Sequence, residues 1–332
     1  MLLIGFRPTG MEELHLLAMA DAFLRGKWLG GGGTERPLWH LPTAHGIVPV
    51  TRVSGSAKPI RVRRAAEFAA TLGQFAVQQC GGPEEVARAA QRAAEDGVPL
   101  WIARRFAYGP TGSVMVAVDR RSVRVDVLAE GVPAVRIRAP YGVSLDRRDP
   151  SRGLVMTVSD EWASLAVSRR PWLDSLGGYV SVEIPCRRWE LRRHRGRSSD
   201  LTCNGLLVAR LTRPDPITTY EKPLLLPLAT VEFANATPDP LDAVVAHTLA
   251  VAFGLGTGTG TVRFGSRTPL PDARDPVVWE ESWFTGVGTG PDDSGPGSRG
   301  DGWGGGDGGG GGDGSGDGGG DGGGDGGGDG GG

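Results

Sequence analysis

The densest group of side chains that could do chemistry is the segment CRRWELRRHRGR, from Cys186 to Arg197. It holds six arginines beside one histidine and one tryptophan; the arginines are Arg187, Arg188, Arg192, Arg193, Arg195 and Arg197. Guanidinium groups match phosphate oxygens bidentately, so this cluster suits an anionic ligand, such as a phospholipid headgroup or nucleic acid. The segment is therefore the candidate ligand-binding site of the chain.

The same segment also has the pattern of a β-hairpin. On a strand, Trp189 and Leu191 would face a core. Arg188, Glu190 and Arg192 would then face water, and the last four residues would form the turn. In that interpretation the arginines are a solvated strand face with a basic turn rather than a binding site.

Arginines recur at other predicted turns of the chain. They lie in DRRSVR (119–124), DRRDPSR (146–152) and SRRP (168–171). If these turns gather at one end of a barrel, the binding interpretation gains support. The linear order alone does not show whether they do.

Signals for catalysis, a metal or a cofactor are weak. His40 and His45 lie in a proline-containing loop, and no Cys or His follows at zinc-like spacing. GLGTGTGT (254–261) departs from G-x-G-x-x-G at Thr259 and follows a helix rather than a strand. His247 falls inside an apolar helix, where we expect a core histidine hydrogen-bonded to a backbone carbonyl. No catalytic residue, metal or cofactor is predicted.

Charge divides the 332-residue chain into a basic body and an acidic tail. Residues 291–332 contain 26 of the 56 glycines, nine Asp and one Arg. Removing this net charge of −8 from the chain's −2 leaves about +6 on the body. The Asp residues recur in GGGD units that lack the large apolar residue of a calcium-binding β-roll, so the tail is expected to be disordered.

The N-terminal residues favour helices. We predict helices over 11–25, with a Thr9–Glu12 capping box, over 62–79, and over 83–95 with Pro83 in its first turn. From residue 100 the period changes to strict alternation, which is typical of strands with one buried face. The predicted strands are 113–118, 122–127, 134–138, 154–159, 163–168, 179–184, 188–193, 199–203, 206–211 and 224–233, with a hairpin at CNG (203–205).

The segment DPLDAVVAHTLAVAFGLG, from Asp239 to Gly256, predicts a helix over about 240–253 that is apolar on every side. Asp239 can cap its start and Gly254 can end it. At 1.5 Å per residue it is too short to cross a bilayer. The many preceding strands are the obvious structure to enclose it.

The predicted organisation is therefore α+β. It consists of an N-terminal helical segment (1–97), a β-barrel or sandwich with an enclosed apolar helix (98–265), an irregular segment (266–290) and the Gly/Asp-rich tail (291–332). A short strand, TVRF (261–264), is also expected after the helix.

A long antiparallel meander followed by an apolar helix resembles the tubby-like fold, which includes tubby C-terminal domains, phospholipid scramblases and LURP-one-related proteins. The residues that carry the resemblance are 189–214 and 227–255. It is architectural and rests on no diagnostic motif. The resemblance implies a lipid or phosphoinositide headgroup as partner and assigns no functional residue.

Two functions from different classes follow from the sequence. The first is a non-catalytic binding module for an anionic ligand, a lipid headgroup or a protein partner. The second is a structural or interaction protein without a small ligand, and an enzyme is less favoured than either. Three widely spaced cysteines, no secretory signal pattern and no apolar run of membrane-spanning length predict a cytoplasmic protein.

Overall fold

A computed structural model describes residues 11–263 except 56, 120–122, 140–148, 150, 169–177 and 215–227, together with the backbone of 2–4 and 7–9. The predicted irregular segment and the Gly/Asp-rich tail lie outside the described residues. So do parts of the three arginine-bearing turns and the first part of the strand predicted at 224–233.

Three α-helices and three short hairpins form the N-terminal part of the described chain. The helices are α1 (Leu16–Leu24), α2 (Ala65–Gln79) and α3 (Pro83–Glu95). The hairpins pair β1 (Leu2–Ile4) with β2 (Arg7–Thr9), β3 (Lys27–Leu29) with β4 (Glu35–Pro37), and β5 (Gly46–Thr51) with β6 (Ala57–Val62). Their shared core includes buried Met19, Trp28 and Leu72.

The predicted start of the first helix is wrong. Helix α1 begins at Leu16 rather than at residue 11, and its N-cap residue His15 makes no side-chain capping hydrogen bond; the Thr9 side chain lies outside the described residues. Leu14 makes an isolated β-bridge with Arg52, and the His15 N–H donates to the Thr51 carbonyl at 2.9 Å. Residues 11–13 form a single short 3-10 turn, and the bonds of Leu14 and His15 to the 51–52 region keep that turn separate from α1. The prediction for α3 is confirmed at both ends.

Within the described residues, eleven strands follow α3 and form one antiparallel sheet in strict chain order. They are β7 (Ala103–Gly109), β8 (Gly112–Asp119), β9 (Arg124–Ala129), β10 (Val132–Arg138), β11 (Val155–Val158), β12 (Glu161–Ser168), β13 (Tyr179–Ile184), β14 (Arg187–Arg193), β15 (Ser198–Cys203), β16 (Leu206–Thr212) and β17 (Thr230–Phe233). Alternate residues such as Val114, Val116 and Val118 are buried on its inner face. Each such valine stabilises the fold by about 1.5–3 kcal/mol.

Helix α4 (Pro240–Phe253) packs on that inner face. The Leu241 N–H donates to the Asp239 carboxylate at 2.9 Å, so the predicted cap is confirmed. Every residue from Leu241 to Phe253 is buried. The helix contacts β7, β8, β9 and β10 from one half of the sheet and β16 from the other. No helix within the described residues combines the length and apolar character needed to cross a bilayer.

A buried ion cluster joins the N-terminal part to the outer face of the sheet. The fully buried Asp126 carboxylate pairs with Arg124, Arg136 and Arg138. Arg136 also donates to the Asp96 carbonyl at 2.7 Å, and Arg124 donates to the Gly97 carbonyl. Because these carbonyls follow the last turn of α3, the arginines also satisfy its C-terminal acceptors.

The arginine partners of Asp126 keep its carboxylate deprotonated. Burial alone would raise the pKa of Asp126, but the guanidinium groups of Arg138 and Arg124 more than offset burial and keep the pKa below its ordinary value. The carboxylate is therefore charged at neutral pH. The cluster is a buried polar attachment between the two described parts of the fold.

Candidate anion-binding edge of the sheet

The antiparallel order of the sheet decides which connections share an edge. Because successive strands run in opposite directions, every second connection lies at the same edge. We call one edge the basic edge; it carries the ends of β8, β10, β12, β14 and β16 at Asp119, Arg138, Ser168, Arg193 and Thr212. The other edge is called the opposite edge.

The arginine-bearing turns predicted from the sequence, together with residues 194–197 of CRRWELRRHRGR, connect strands at the basic edge. The connections after β8, β10, β12 and β14 contain them, whereas the turns of the opposite edge at 110–111, 130–131, 159–160, 185–186 and 204–205 contain no arginine. The central residues of three of these connections lie outside the described residues. Within the described part, Arg152, Arg193 and Arg195 are exposed, and Arg197 and Arg213 are half-buried.

Strand β14 has the alternation that its sequence predicts. Trp189 and Leu191 are fully buried, while Arg188 and Arg192 are exposed on the outer face. The Trp189 indole N–H donates to the buried Asp242 carboxylate of α4 at 2.7 Å. The strand thus anchors the first turn of α4. Its arginines do not share one environment.

A ladder of alternating charges crosses the outer face of β14–β17. In register across neighbouring strands stand Arg192, Asp200, Arg210 and Glu232. Arg210 donates to Asp200 at 2.8 Å, and Arg192 and Arg188 both pair with Glu190. Tyr179 completes the row, since the Arg192 guanidinium lies 5.1 Å from the centre of its ring. Each positive side chain in this ladder faces a carboxylate, so the ladder holds little surplus charge for an anion.

Arg187 is also committed to a structural contact. Its guanidinium pairs with the Asp239 carboxylate at 2.7 Å and lies 5.9 Å from the Trp189 ring. Asp239 is the residue that caps α4, so this arginine lies at the opposite edge beside the start of the helix. Of the six arginines predicted as one patch, Arg187, Arg188 and Arg192 therefore do not join the others in a common site.

The remaining three arginines belong to the basic edge. Arg193 ends β14 and Arg195 lies in the turn; neither forms an ion pair or hydrogen bond through its side chain with another described residue. The Arg213 N–H donates to the Arg197 carbonyl at 3.1 Å, which places the end of β16 beside this turn. Arg213 and Arg152 were not predicted as site residues, although the strand order of a meander is a signal that could have found them.

The chain after α4 supports this edge from inside. The Thr257 N–H donates to the Gly196 carbonyl at 3.3 Å, and the Thr259 and Ser199 hydroxyls lie 2.8 Å apart. Gly256 has a φ of +61°, and a Cβ there would lie 2.4 Å from the Gly196 oxygen, so only glycine fits. The turn that carries Arg195 therefore rests on a fixed backbone rather than projecting alone.

The C-terminal end of α4 also lies at the basic edge, because the segment that follows it contacts Gly196 and Ser168. The carbonyl end of a helix carries a partial negative charge that favours cations nearby. The end of α4 therefore adds no positive charge to the side of the sheet on which Arg193 and Arg195 lie. The predicted strand at 261–264 does not form over residues 261–263, whose backbone instead bonds to the last turn of α4 and the loop after it.

The histidines do not form a site. His247 is buried, as predicted, but neither ring nitrogen has a hydrogen-bond partner among the described residues, so the expected carbonyl partner is absent there. Burial lowers the pKa of His247 to about 4. His40 stacks edge-on against Trp39 and is exposed with His45. No group of three metal-ligating side chains occurs within the described residues.

Comparison with known protein families, with curated proteins and with solved structures finds no match to this chain. Its function must therefore be inferred from the geometry of the molecule.

Proposed function

We propose that the protein is a non-catalytic binding module whose basic edge holds an anionic ligand that carries phosphate or sulfate groups. One observation carries the proposal. Arg193 and Arg195 are exposed without a carboxylate partner among the described residues, at the edge where every other arginine-bearing connection also begins and ends.

The chemistry of arginine favours phosphate over a simple carboxylate at this edge. A guanidinium presents five donors in a planar fork, and several forks on neighbouring turns can share the oxygens of one phosphate-bearing ligand. The arginines of the ladder already use their donors on Asp200 and Glu190. Arg193 and Arg195 of the basic edge use no donor on a described carboxylate.

A lipid headgroup is one source of such a ligand. We propose that the sheet curls round α4 to enclose it, as the resemblance to the tubby-like fold implies. Supporting this, α4 is buried on all sides and contacts strands from both halves of the sheet. A closed arrangement would bring the connections of the basic edge into a ring round one end of the helix.

The proposal is tested with the full chain and three probes: heparin, a 20-nucleotide single-stranded DNA, and vesicles with and without phosphatidylinositol bisphosphate. We expect binding to at least one probe at low salt that weakens steeply as salt rises. Preference for the phosphoinositide vesicles would identify a headgroup ligand, and preference for DNA would identify nucleic acid. Absence of binding to all three at low salt would remove the anion-binding function.

A protein-interaction function is the second candidate, and the opposite edge favours it. Tyr108, Trp162 and Leu206 are 95%, 75% and 74% exposed, and all three lie beside turns of that edge. Large apolar side chains at this exposure are typical of contact surfaces. Loss of a captured protein partner on Trp162→Ser, with the melting temperature unchanged, would support this function, and an unchanged partner set would count against it.

A further inference from the structure

A cavity of about 350 Å³ lies in the N-terminal part, apart from the basic edge. Helix α1, helix α3, the β3–β4 hairpin and residues 97–101 surround it. At about 30 Å³ for each water-sized group, it has room for roughly a dozen non-hydrogen atoms. This is the size of a small metabolite rather than of a polymer or a lipid.

Small and apolar side chains form most of the cavity wall. Ala18, Leu29, Ala93 and Leu100 are buried there, and alanines on α3 leave the space that longer side chains would fill. Trp101 closes one side and packs against Gly33, where a Cβ would lie 2.3 Å from the indole ring. The indole N–H has no acceptor among the described residues, so this wall offers a free donor as well as an aromatic surface.

A network of four charged side chains borders the same cavity, with Asp21, Arg25 and Glu35 in its wall and Lys27 behind Glu35. Arg25 donates to both Glu35 oxygens at 2.8 and 2.6 Å and to Asp21 at 2.7 Å. Lys27 donates to Glu35 at 3.1 Å. These bonds fix the guanidinium, because one fork is held by two carboxylates on two elements.

The charges of this network sum to zero, and some of its hydrogen-bond donors and acceptors are unused. Its two cations and two anions sum to zero charge, so it does not select a ligand of net charge. Arg25 uses three of its five N–H donors, which leaves two. Each carboxylate can accept further hydrogen bonds. The cavity edge can therefore serve an acceptor and a donor on the same ligand.

We propose that this cavity binds a small zwitterion with an apolar side chain, of the free amino acid class. Its carboxylate would lie at the Arg25 and Trp101 donors, and its ammonium at Asp21 and Glu35. Its side chain would fill the space between the alanines of α3 and Leu29. This pairing matches each group of the ligand to a complementary group of the wall.

The balance of charge distinguishes this cavity from the basic edge. A phosphate would approach Asp21 and Glu35 as closely as Arg25, and burying it there would be unfavourable without further cations. A purely apolar molecule would leave the remaining donors without partners. A molecule with both charges and an apolar body meets neither cost.

The test uses the full chain and four probes, measured by calorimetry and by indole fluorescence. The probes are L-leucine, L-phenylalanine, 3-phenylpropionate, which lacks the ammonium, and 2-phenylethylamine, which lacks the carboxylate. We expect saturable binding of at least one amino acid with a Kd of about 1 mM or tighter, and at least tenfold weaker binding of both single-charge analogues. Absence of amino acid binding, or equal binding of an analogue, would overturn the proposal.

Two substitutions on α3 locate the binding site. Ala94→Leu places a larger side chain in the cavity, whereas Ala87→Leu adds the same group at an exposed position outside it. We expect Ala94→Leu to weaken binding at least tenfold and Ala87→Leu to leave it unchanged. If Ala94→Leu does not fold, Trp101→Phe removes the indole donor and should weaken binding as well. Equal affinity of a folded cavity variant and the wild type would contradict the assignment.

Discussion

Two groups of arginines show how the same side chain serves different ends in this molecule. Arg124, Arg136 and Arg138 surround the buried carboxylate of Asp126 and join the N-terminal part to the sheet. Arg193 and Arg195 lie at the basic edge with no carboxylate among their described neighbours. The presence or absence of a carboxylate partner decides whether an arginine stabilises the fold or remains available to a ligand. The number of arginines in a segment does not decide this.

Asp126→Asn should have the largest effect on stability. The substitution leaves three guanidinium groups around a neutral side chain, and breaking a buried ion cluster costs about 3–5 kcal/mol. Urea denaturation would measure the loss in the free energy of unfolding. A loss below about 1 kcal/mol would show that the cluster does not join the two parts of the fold.

His247 provides the contrasting case of a buried polar group without a described partner. Its pKa is lowered from 6.5 to about 4 by burial, so the unfolded chain binds the extra proton between these values. Stability should therefore fall as the pH drops from 6.5 towards 4, by up to about 3 kcal/mol from this group. His247→Leu should remove this pH-dependent loss of stability. At neutral pH the substitution should change the free energy of unfolding little, because no hydrogen bond is lost.

The pH dependence is measured by thermal or urea unfolding between pH 4 and 8. His15 contributes a slope of the same sign, since burial and the charge of Arg104 lower its pKa to about 4. The His247→Leu profile should thus be flatter than that of the wild type without becoming flat. Identical slopes in the two proteins would mean that His247 is protonated in the folded state or is not buried.

Asp200→Asn is the exposed counterpart of the Asp126 substitution. Asp200 also contacts two basic side chains, Arg210 at 2.8 Å and His194 at 3.0 Å, but all three side chains reach solvent. Exposed pairs contribute about 0–1 kcal/mol because water and salt screen them. Denaturation at low and high salt should show a small loss that shrinks further with salt. A loss comparable to that of Asp126→Asn would remove the distinction between buried and exposed clusters.

The smallest effect on stability is expected from the double substitution Arg193→Gln and Arg195→Gln. Neither side chain has a described partner to lose, so the free energy of unfolding should change by less than about 0.5 kcal/mol. The melting temperature provides the measurement. A marked fall would mean that these arginines serve the fold and are not held free for a ligand.

Much of the fold could be predicted because its signals are local. Alternating valines predict β8 and β9, and Asn204 and Gly205 predict the β15–β16 hairpin, where both adopt positive φ. Strand β7 was not predicted, because its exposed Phe106 and Tyr108 break the expected alternation. The strands of the N-terminal hairpins were not predicted. They are only three to six residues long, and the Pro and Gly residues in the hairpins obscure any alternating pattern.

The candidate site was predictable only in part. The placement of the arginine-bearing turns on one side of the sheet follows from the order of an antiparallel meander, and so it was accessible in principle. The sequence did not predict which of the six arginines form ion pairs and which do not, because this depends on which residues face each other across neighbouring strands. A register shift between Leu201 and Thr202 helps set these pairs, and nothing in the sequence marks it. The partner of Arg187 lies 52 positions away, at Asp239.

We propose that Arg193 and Arg195, which have no partner among the described residues, bind an anion while the ladder arginines do not. The most direct measurement is the salt dependence of single-stranded DNA binding for the wild type, for Arg193→Gln with Arg195→Gln, and for Arg188→Gln with Arg192→Gln as control of equal charge. We expect the edge variant to lower the slope of log K against log salt by up to about 1.4 and the ladder variant to keep the wild-type slope. Equal reductions in both variants would contradict it.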